Sequence, residues 1–285
     1  LALGGLTKGV STYEMAAAYA SFARGGIYTK PRTYTRVTDS DGKVLLENEA
    51  AAQVAMKETT AWYINDMLEN VVKQGTGTAA NFSGMTIAGK TGTTTSRKDL
   101  WFVGYTPYYT AAIWTGYDQQ ERLGDSLRNP SAVLWKKVMS TVHKGLGNKS
   151  FETPSGYEIV TREYCMDSGL LATDYCKADI RGSRITSGKF IKGDAPTEYC
   201  TLHVEAVVCA DAPVMDYTSN PEGEATGRYH LAGPYCPAES RRVIGVVDYT
   251  RLKVSEGVRV SDDNYLKAWL DAQGLCTTHG EALPS

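Results

Sequence analysis

The chain has 285 residues, of which 42% are hydrophobic and 22% are charged, and its formal net charge is -2. This length leaves room for about two domains, and the composition is ordinary for a globular protein. The balanced charge lacks the basic excess of a nucleic-acid-binding protein, so we expect no nucleic-acid partner. The sequence opens at Leu1 without a signal peptide or a run of about 18 apolar residues, so we expect any membrane anchor to lie N-terminal to it.

The first predicted helix begins at a capping box, Ser11-Thr12-Tyr13-Glu14. Met15, Tyr19 and Phe22 follow at helical spacing, and Gly25-Gly26 ends the helix. We expect the alanine-rich face of this helix to pack against a sheet.

A hairpin is predicted next, because Asp41-Gly42 lies between two extended segments, residues 34–38 and 43–46. The same stretch holds the sequence's one Ser-x-x-Lys, from Ser40 to Lys43. A nucleophilic serine in that motif needs the start of a buried helix, which a hairpin tip does not provide. We therefore reject Ser40 as a nucleophile.

A second helix is predicted over Thr59 to Lys73, where apolar residues recur at helical spacing. We expect its apolar stripe to enter the core; the members are Trp62, Met67, Leu68, Val71 and Val72. The following Gly75-Thr76-Gly77-Thr78 breaks the helix but lacks the G-x-x-x-x-G-K-[ST] spacing of a phosphate-binding loop. Nucleotide binding is therefore not expected.

The stretch that organises the chain is centred on Lys90-Thr91-Gly92-Thr93. Met85 to Ala88 is predicted to be a strand that enters this tetrad. Two more strands are predicted over Asp99 to Tyr105 and Tyr109 to Trp114, because aromatic and β-branched residues are concentrated there. The pattern predicts three neighbouring antiparallel strands.

A closing helix is predicted over Ser131 to Leu146. We expect it to pack on the sheet through Val133, Leu134, Val138 and Val142. Helices covering an antiparallel sheet give an α/β fold of the α+β type for this part of the chain.

The tetrad offers groups that suit the binding of a peptide substrate. Gly92 would let a substrate backbone approach the strand edge, and Lys90 would supply a positive charge. The hydroxyls of Thr91 and Thr93 could hold a carboxylate, and a backbone N–H after the glycine could donate to an oxyanion. Strict alternation sends Lys90 and Thr91 to opposite faces, so one ligand reaches both only at the strand's edge. The alternative is that the tetrad is an ordinary strand end.

Several stretches resemble the transpeptidase domain of class A penicillin-binding proteins, the bifunctional cell-wall synthases. They occur in the family's order: ALGGLTKGV (residues 2–10), EMAAAY (14–19), GGIY (25–28), GTGTAA (75–80), AGKTGTT (88–94) and WFVGY (101–105). K-T-G is one of the family's three motifs, with S-x-x-K and a serine-containing triplet. The resemblance implies that residues 1–149 are the C-terminal part of that domain, with the serine transpeptidase or β-lactamase-like fold.

The resemblance also implies a function and a set of site residues. Lys90 and Thr93 would be catalytic, and Thr91, Gly92 and Thr93 would bind the substrate, the D-Ala-D-Ala end of a peptidoglycan stem peptide. β-Lactam antibiotics would bind by mimicry, no metal or organic cofactor is implied, and the location would be the outer face of the bacterial cytoplasmic membrane. The family's nucleophilic serine and S-x-N motif lie upstream of this stretch and do not occur here, so we expect this chain alone to be inactive.

After about residue 149 the sequence shows two copies of one pattern, which predicts two small, mainly β repeats over 150–204 and 205–285. Each copy has a C-x-D segment, an L-A-x-x-Y-C segment and a C-x-x-H segment. The first copy contains Cys165, Cys176, Cys200 and His203, and the second contains Cys209, Cys236, Cys276 and His279. Similar cysteine-containing segments occur in the family's extracellular extensions.

Six cysteines in an outward-facing chain favour disulfides, which would stabilise modules with little core. If cysteines at equivalent positions of the two repeats pair in the same way, Cys165 pairs with Cys176 and Cys209 pairs with Cys236. This leaves Cys200 and Cys276 as an inter-repeat pair or as free thiols.

The alternative to disulfides is a single Cys2His2 zinc set made of Cys200, His203, Cys276 and His279. That spacing lacks the usual C-x-x-C half, so no metal is predicted. The other two histidines, His143 and His230, are expected to be packed or solvated.

The sequence therefore supports two functional hypotheses of different classes. The first is a fragment of a peptidoglycan synthase that is catalytic only as part of a longer protein. The second is a non-catalytic wall-binding or regulatory module, in which the cysteine repeats act and the Lys90 strand is scaffold. A β-lactamase or carboxypeptidase relative is less consistent with the tandem repeats.

Overall fold

The computed structural model describes residues 9–124, 128–216, 218, 222–251 and 267–280. The chain divides into two compact units, Leu1–Gly156 and Tyr157–Ser285. Residues 2–8 of the first family-like stretch lie outside the described residues. Within the described part, no helix is long and apolar enough to cross a membrane.

The first unit contains three α-helices and seven strands among its described residues. The helices are α1 (Thr12–Ala23), α2 (Glu58–Gln74) and α3 (Pro130–Val142). The strands are β1 (Ile27–Thr29), β2 (Arg36–Thr38), β3 (Val44–Glu47), β4 (Ala52–Val54), β5 (Ala88–Thr93), β6 (Leu100–Tyr105) and β7 (Thr110–Thr115). β1 pairs with β4, β2 pairs with β3, and β5, β6 and β7 form an antiparallel sheet in that order.

Helices cover both faces of the three-stranded sheet, which confirms the predicted fold class. On one face Phe102 of β6 packs edge-on against Trp135 of α3, with ring centroids 5.2 Å apart. On the other face Tyr105 packs against Tyr19 and Phe22 of α1. Burial raises the pKa of the Tyr105 phenol, so it stays protonated and donates a 2.6 Å hydrogen bond to the amide oxygen of Asn65 in α2.

In the structure, α1 and the first hairpin lie where local sequence signals predict them. The Ser11 hydroxyl accepts from the Glu14 N–H, and the Glu14 carboxylate accepts from the Ser11 N–H, so the predicted capping box is present. The Ser11 N–H and the Ser11 hydroxyl both donate to the Glu14 carboxylate, and these two hydrogen bonds lower the pKa of Glu14. In the hairpin between β2 and β3, Gly42 has a φ of 82°, a left-handed turn conformation that favours glycine.

The central strand begins later than predicted. β5 starts at Ala88, where the predicted strand over Met85 to Ala88 would end, and it contains the whole Lys90 tetrad. The physical reason is the length of its partner strand. Ala88 lies opposite Tyr105, the last residue of β6, so residues before Ala88 have no β6 residue opposite them to pair with.

The predicted packing face of α3 is wrong. Val133, Leu134, Val138 and Val142 are 44 to 49% exposed, whereas Ser131, Ala132, Trp135 and Met139 are buried. Trp135 sets the phase of this helix, because its large indole is fully buried and its Nε1–H donates to the Ala111 carbonyl at 3.1 Å. On α2, Trp62 and Val72 are buried as predicted, but Met67 is 59% exposed.

The second unit is mainly β. Its described strands are β8 (Ile159–Cys165), β9 (Ile185–Ile191), β10 (His203–Asp216), β11 (Glu224–Leu231) and β12 (Arg241–Val247), and its α-helices are α4 (Asp174–Lys177) and α5 (Lys267–Gln273). β8 and β9 form an antiparallel pair, and β10 lies between β11 and β12. β10 crosses the predicted limit between residues 204 and 205; the three predicted domain ranges remain predictions.

A side chain at Gly104 is expected to destabilise the first unit. A Cβ there would lie 2.6 Å from Cε1 of Phe102 and 2.9 Å from Cζ2 of Trp135. We expect Gly104→Val to lower the free energy of unfolding by about 2 to 3 kcal/mol, because the aromatic core would have to move. Urea denaturation followed by tryptophan fluorescence measures this. Gly147→Val is the control, since a Cβ at Gly147 meets nothing within 4 Å; equal effects of the two variants would contradict the prediction.

Candidate active site

The Lys90 tetrad lies on a strand with one open edge. Opposite β5, Val103 faces Lys90, Trp101 faces Gly92 and Leu100 faces Thr93. Among the described residues β5 pairs with β6 on one side only. The backbone groups on its other side can therefore pair with an extended peptide, as in β-strand addition.

Gly92 packs directly against the indole of its cross-strand neighbour. A Cβ at Gly92 would lie 3.1 Å from Cβ of Trp101, tighter than ordinary van der Waals contact. Because Gly92 has no side chain, nothing projects from the strand at this position, and a ligand backbone can come close. The Lys90 side chain is exposed nearby, and its Nζ donates to the Thr91 carbonyl oxygen at 3.1 Å.

Thr91 is held by the loop of residues 75–78, which the family resemblance places near the mouth of the active site. The Oγ1 atoms of Thr91 and Thr76 are 2.8 Å apart. Thr76 lies between Gly75 and Gly77, whose N–H groups both donate to the carbonyl of Val71 near the end of α2. Alternation places Thr91 on the face opposite Lys90, so a ligand that contacts both side chains must lie across the strand edge.

A cleft of about 690 Å³ runs along the tetrad. Its lining includes Lys90 and Gly92 of β5, Trp101 of β6, and Met15 and Tyr19 of α1. Burial raises the pKa of Tyr19, so its phenol remains protonated at neutral pH. The cleft therefore combines two cations, Lys90 and Lys98, and the carboxylate of Asp99 with aromatic and apolar walls, a lining that suits a small acylated peptide.

The loop after the tetrad is strained and tightly bound. Ser96 and Arg97 have φ values of 68° and 51°, in the left-handed region that non-glycine residues rarely adopt. Asp99 fixes the loop, because its carboxylate accepts from the Thr94 hydroxyl at 3.1 Å and from Nε1 of Trp114 at 2.9 Å. This strain lies at the rim of the cleft, where backbone strain is common in functional sites.

The structure brings the four tetrad residues together and separates them from Ser40. Lys90, Thr91, Gly92 and Thr93 are consecutive on one strand beside the cleft. Ser40 lies at the tip of the β2–β3 hairpin, where the Asp39 N–H donates to the Lys43 carbonyl. The chemical roles assigned to the tetrad remain predictions. Of the residues that were missed, Tyr19 and Trp101 lie in the family-like stretches, which was the available signal.

The structure contains no disulfide between the six cysteines, and the pairs Cys165–Cys176 and Cys209–Cys236 remain predictions. All six are free thiols, and they gather in two groups of three, each with one histidine. Cluster one consists of Cys165, Cys176, Cys200 and His203, and cluster two consists of Cys209, Cys236, Cys276 and His279. Cys200 and Cys276 are in different clusters, so the inter-repeat pair and the single Cys2His2 set are both wrong. Each repeat closes on its own C-x-x-H segment, which keeps Cys200 apart from Cys276.

The remaining histidines are packed, as predicted. His143 is buried between the Thr106 hydroxyl, 2.8 Å from its Nε2, and the Met139 carbonyl, 2.7 Å from its Nδ1. His230 is half-buried on β11, with Nδ1 3.0 Å from the Gln273 carbonyl.

Two family models match the chain. Residues 1–135 match the penicillin binding protein transpeptidase domain, and residues 157–205 match the penicillin-binding protein 1A C-terminal domain. The first match covers most of the first unit and includes the tetrad. The second match covers the first part of the second unit and includes cluster one.

Curated relatives and a solved structure agree with these matches. The chain is 41% identical over 203 residues to penicillin-binding protein 1A of Clostridium perfringens, covering 71% of this chain and 24% of that protein. It is 40% identical over 209 residues to the protein of the same name from Clostridium botulinum, covering 73% and 25%. The crystal structure of penicillin-binding protein 1A from Haemophilus influenzae has a TM-score of 0.53 at 22% identity, covering 67% of this chain and 33% of that one, which shows a shared fold. The chain spans about a quarter of the length of these curated relatives.

Proposed function

Since the chain belongs to the penicillin-binding protein family, we propose that it is the C-terminal part of a peptidoglycan synthase whose transpeptidase domain cross-links stem peptides through a serine acyl-enzyme. The observation that carries the proposal is the open edge of β5 beside the cleft, with Lys90 exposed next to a glycine. An extended peptide added at this edge would place its terminal carboxylate near the threonine hydroxyls.

The proposed reaction has two steps. A serine supplied by sequence outside this chain attacks the carbonyl carbon of the penultimate D-Ala, its proton passes to the leaving amine, and the terminal D-Ala departs. An amine on a neighbouring stem peptide then attacks the serine ester, forms the cross-link and returns the proton to the serine. The Thr93 N–H would donate to the oxyanion in both steps.

Lys90 and the threonines would have separate tasks in this reaction. The Lys90 ammonium stabilises negative charge that develops near the strand edge and assists proton transfer. Thr91 and Thr93 would bind the terminal carboxylate through their hydroxyls. The 2.8 Å contact from Thr76 fixes the Thr91 hydroxyl before substrate arrives, which reduces the entropy lost on binding. β-Lactams would occupy the same place and acylate the same serine.

The remaining assignments follow from the same proposal. The site would work on the outer face of the bacterial cytoplasmic membrane, where stem peptides are cross-linked. A glycosyltransferase domain and a membrane anchor would belong to the rest of the longer protein. The chain's share of its relatives' length is consistent with this arrangement.

Labelling with a fluorescent penicillin tests the proposal. We expect no stable labelling of the 285-residue chain alone, and covalent labelling of a longer polypeptide that includes the rest of the transpeptidase domain. Ser40→Ala in the longer polypeptide is the control and should leave labelling unchanged, because Ser40 lies on a hairpin. Stable labelling of the short chain, or none of the folded longer one, would contradict the proposal; the second result would favour the wall-binding hypothesis.

A further inference from the structure

Cluster one is a compact, buried group of four potential ligand atoms. Its three cysteine Sγ atoms and the His203 Nδ1 all lie within 4.8 Å of one another, and all four residues are buried. His203 Nδ1 is 3.4 Å from the Cys165 sulfur and 3.5 Å from the Cys200 sulfur. Elements distant in sequence supply these atoms: the end of β8, α4, the Cys200 loop and the start of β10.

Cluster two repeats this arrangement with different residues. The three sulfurs of cluster two and the His279 Nδ1 again lie within 4.8 Å of one another. His279 Nδ1 is 3.5 Å from the Cys209 sulfur and 3.6 Å from the Cys276 sulfur. Both repeats bring together three cysteine sulfurs and one histidine nitrogen. Chance does not account for the same arrangement occurring twice.

The distances fit a tetrahedral zinc ion better than a disulfide. Zinc–sulfur bonds of about 2.3 Å and zinc–nitrogen bonds of about 2.0 to 2.1 Å, at tetrahedral angles, separate sulfur from nitrogen by about 3.5 Å. The four sulfur–nitrogen distances lie between 3.4 and 3.6 Å. A disulfide in either cluster would join two sulfurs and leave a buried thiol and an imidazole without a common partner.

The outer nitrogen of each histidine faces a carboxylate. His203 Nε2 lies 2.9 Å from Oδ2 of Asp179, whose side chain is fully buried and accepts hydrogen bonds from Arg181. In cluster two, Nε2 of His279 lies 3.5 Å from Oδ2 of Asp211. Zinc-bound histidines commonly donate their second N–H to a carboxylate, which fixes the ring and leaves the other nitrogen free to bind metal.

We propose that each cluster is a structural Cys3His zinc site. Each zinc ion would be bound by three thiolates and the neutral imidazole Nδ1, so binding releases the three thiol protons. Sulfur-rich tetrahedral sets select zinc over the hard cations magnesium and calcium. Four protein ligands close the coordination shell, which distinguishes a structural site from a catalytic one with an open position.

The positions of the sites explain why the second unit would need metal. His203 begins β10 and Cys209 lies six positions later on the same strand, about 20 Å along an extended chain. Between them, Val204, Ala206 and Val208 form a small apolar core with residues of β12 and α5. The other two buried clusters found among the described residues of this unit are built around the cysteines themselves. Zinc at the start and at the middle of β10 would supply stability that so small a core lacks.

The first experiment counts metal and thiols in the full 285-residue chain, purified with a thiol reductant and without chelator. We expect two zinc ions per chain by plasma mass spectrometry, one for each cluster. Cobalt exchanged into the protein should show tetrahedral thiolate coordination at the same stoichiometry. Cys200→Ser and Cys276→Ser should each lose one of the two ions, and His230→Ala should keep both, since His230 belongs to neither cluster.

Results that would overturn the proposal are distinct from a failure to fold. A reduced, folded chain that takes up neither zinc nor cobalt would overturn it, and so would an unreduced chain whose mass and thiol count show intact disulfides. If the cysteine variants do not fold, Asp179→Asn tests the proposal instead, because this variant keeps all four proposed zinc ligands of cluster one. We expect it to weaken one site by about 10- to 100-fold in competition with a chromophoric chelator; unchanged affinity at both sites would contradict the assigned histidine geometry.

Discussion

Replacing Lys90 by alanine is expected to slow acylation by a fluorescent penicillin by about 10²- to 10⁴-fold, the usual range for the loss of a group that assists proton transfer. The side chain is exposed, and Nζ contacts only the Thr91 carbonyl among the described hydrogen bonds, so its removal leaves the sheet intact. The effect should therefore fall on the reaction rather than on folding. The measurement is the labelling rate of the longer polypeptide at matched folded concentration.

Two variants separate charge from position in this experiment. Lys43→Ala removes a lysine from the β2–β3 hairpin and should leave the rate unchanged. Thr91→Val keeps the shape of the side chain but loses the hydroxyl that contacts Thr76, and should lower the rate because the carboxylate loses a donor. If Lys90→Ala labels at the wild-type rate, the tetrad is an ordinary strand end, and the transpeptidase proposal fails at these residues.

The parts of the fold that local sequence could predict were predicted well. The capping box at Ser11, the turn at Gly42 and the aromatic and β-branched residues between Asp99 and Tyr105 are signals from residues close together in the chain. Such signals do not need tertiary contacts to be recognised. They were sufficient to place α1, the hairpin and the three-stranded sheet.

The errors in the first unit depend on contacts between distant residues. Apolar side chains occupy more than one face of α3, so periodicity alone could not choose its buried face; the indole of Trp135 against Phe102 decides it. The start of β5 depends on where its partner β6 ends, at Tyr105. The Thr76–Thr91 contact joins residues 15 apart, and no local pattern indicates it.

The cysteine clusters show a different limit. The sequence displays three cysteines and one histidine in each repeat, which is the complete ligand set, but the C-x-x-H segments alone suggested one shared site. Cys165 and His203 are 38 residues apart, and Cys209 and His279 are 70 apart. Only the fold shows that each histidine returns to the cysteines of its own repeat. Considering each repeat as a separate site would have found the correct sets.

Removal of zinc is expected to unfold the second unit. Structural zinc sites have apparent binding free energies of about 10 to 16 kcal/mol in zinc-finger peptides near neutral pH. That exceeds or equals the total stability of a typical domain, about 5 to 15 kcal/mol. Here the two sites hold β10 at its first residue, His203, and at Cys209 in its middle, and the apolar core between them is small. We therefore expect residues 157–285 to lose cooperative structure under a strong zinc chelator with reductant present.

Hydrogen exchange read by mass spectrometry measures this loss for each unit separately. Amides of β10 and β12 should lose protection when zinc is removed, whereas those of β5, β6 and β7 should keep it, because the first unit contains no cysteine. Returning zinc should restore protection, and magnesium should not, since a hard cation binds thiolates poorly. Unchanged protection of β10 after verified metal removal would mean that the apolar contacts of Val204, Ala206 and Val208 are sufficient on their own. In that case the two clusters would bind metal without stabilising the fold.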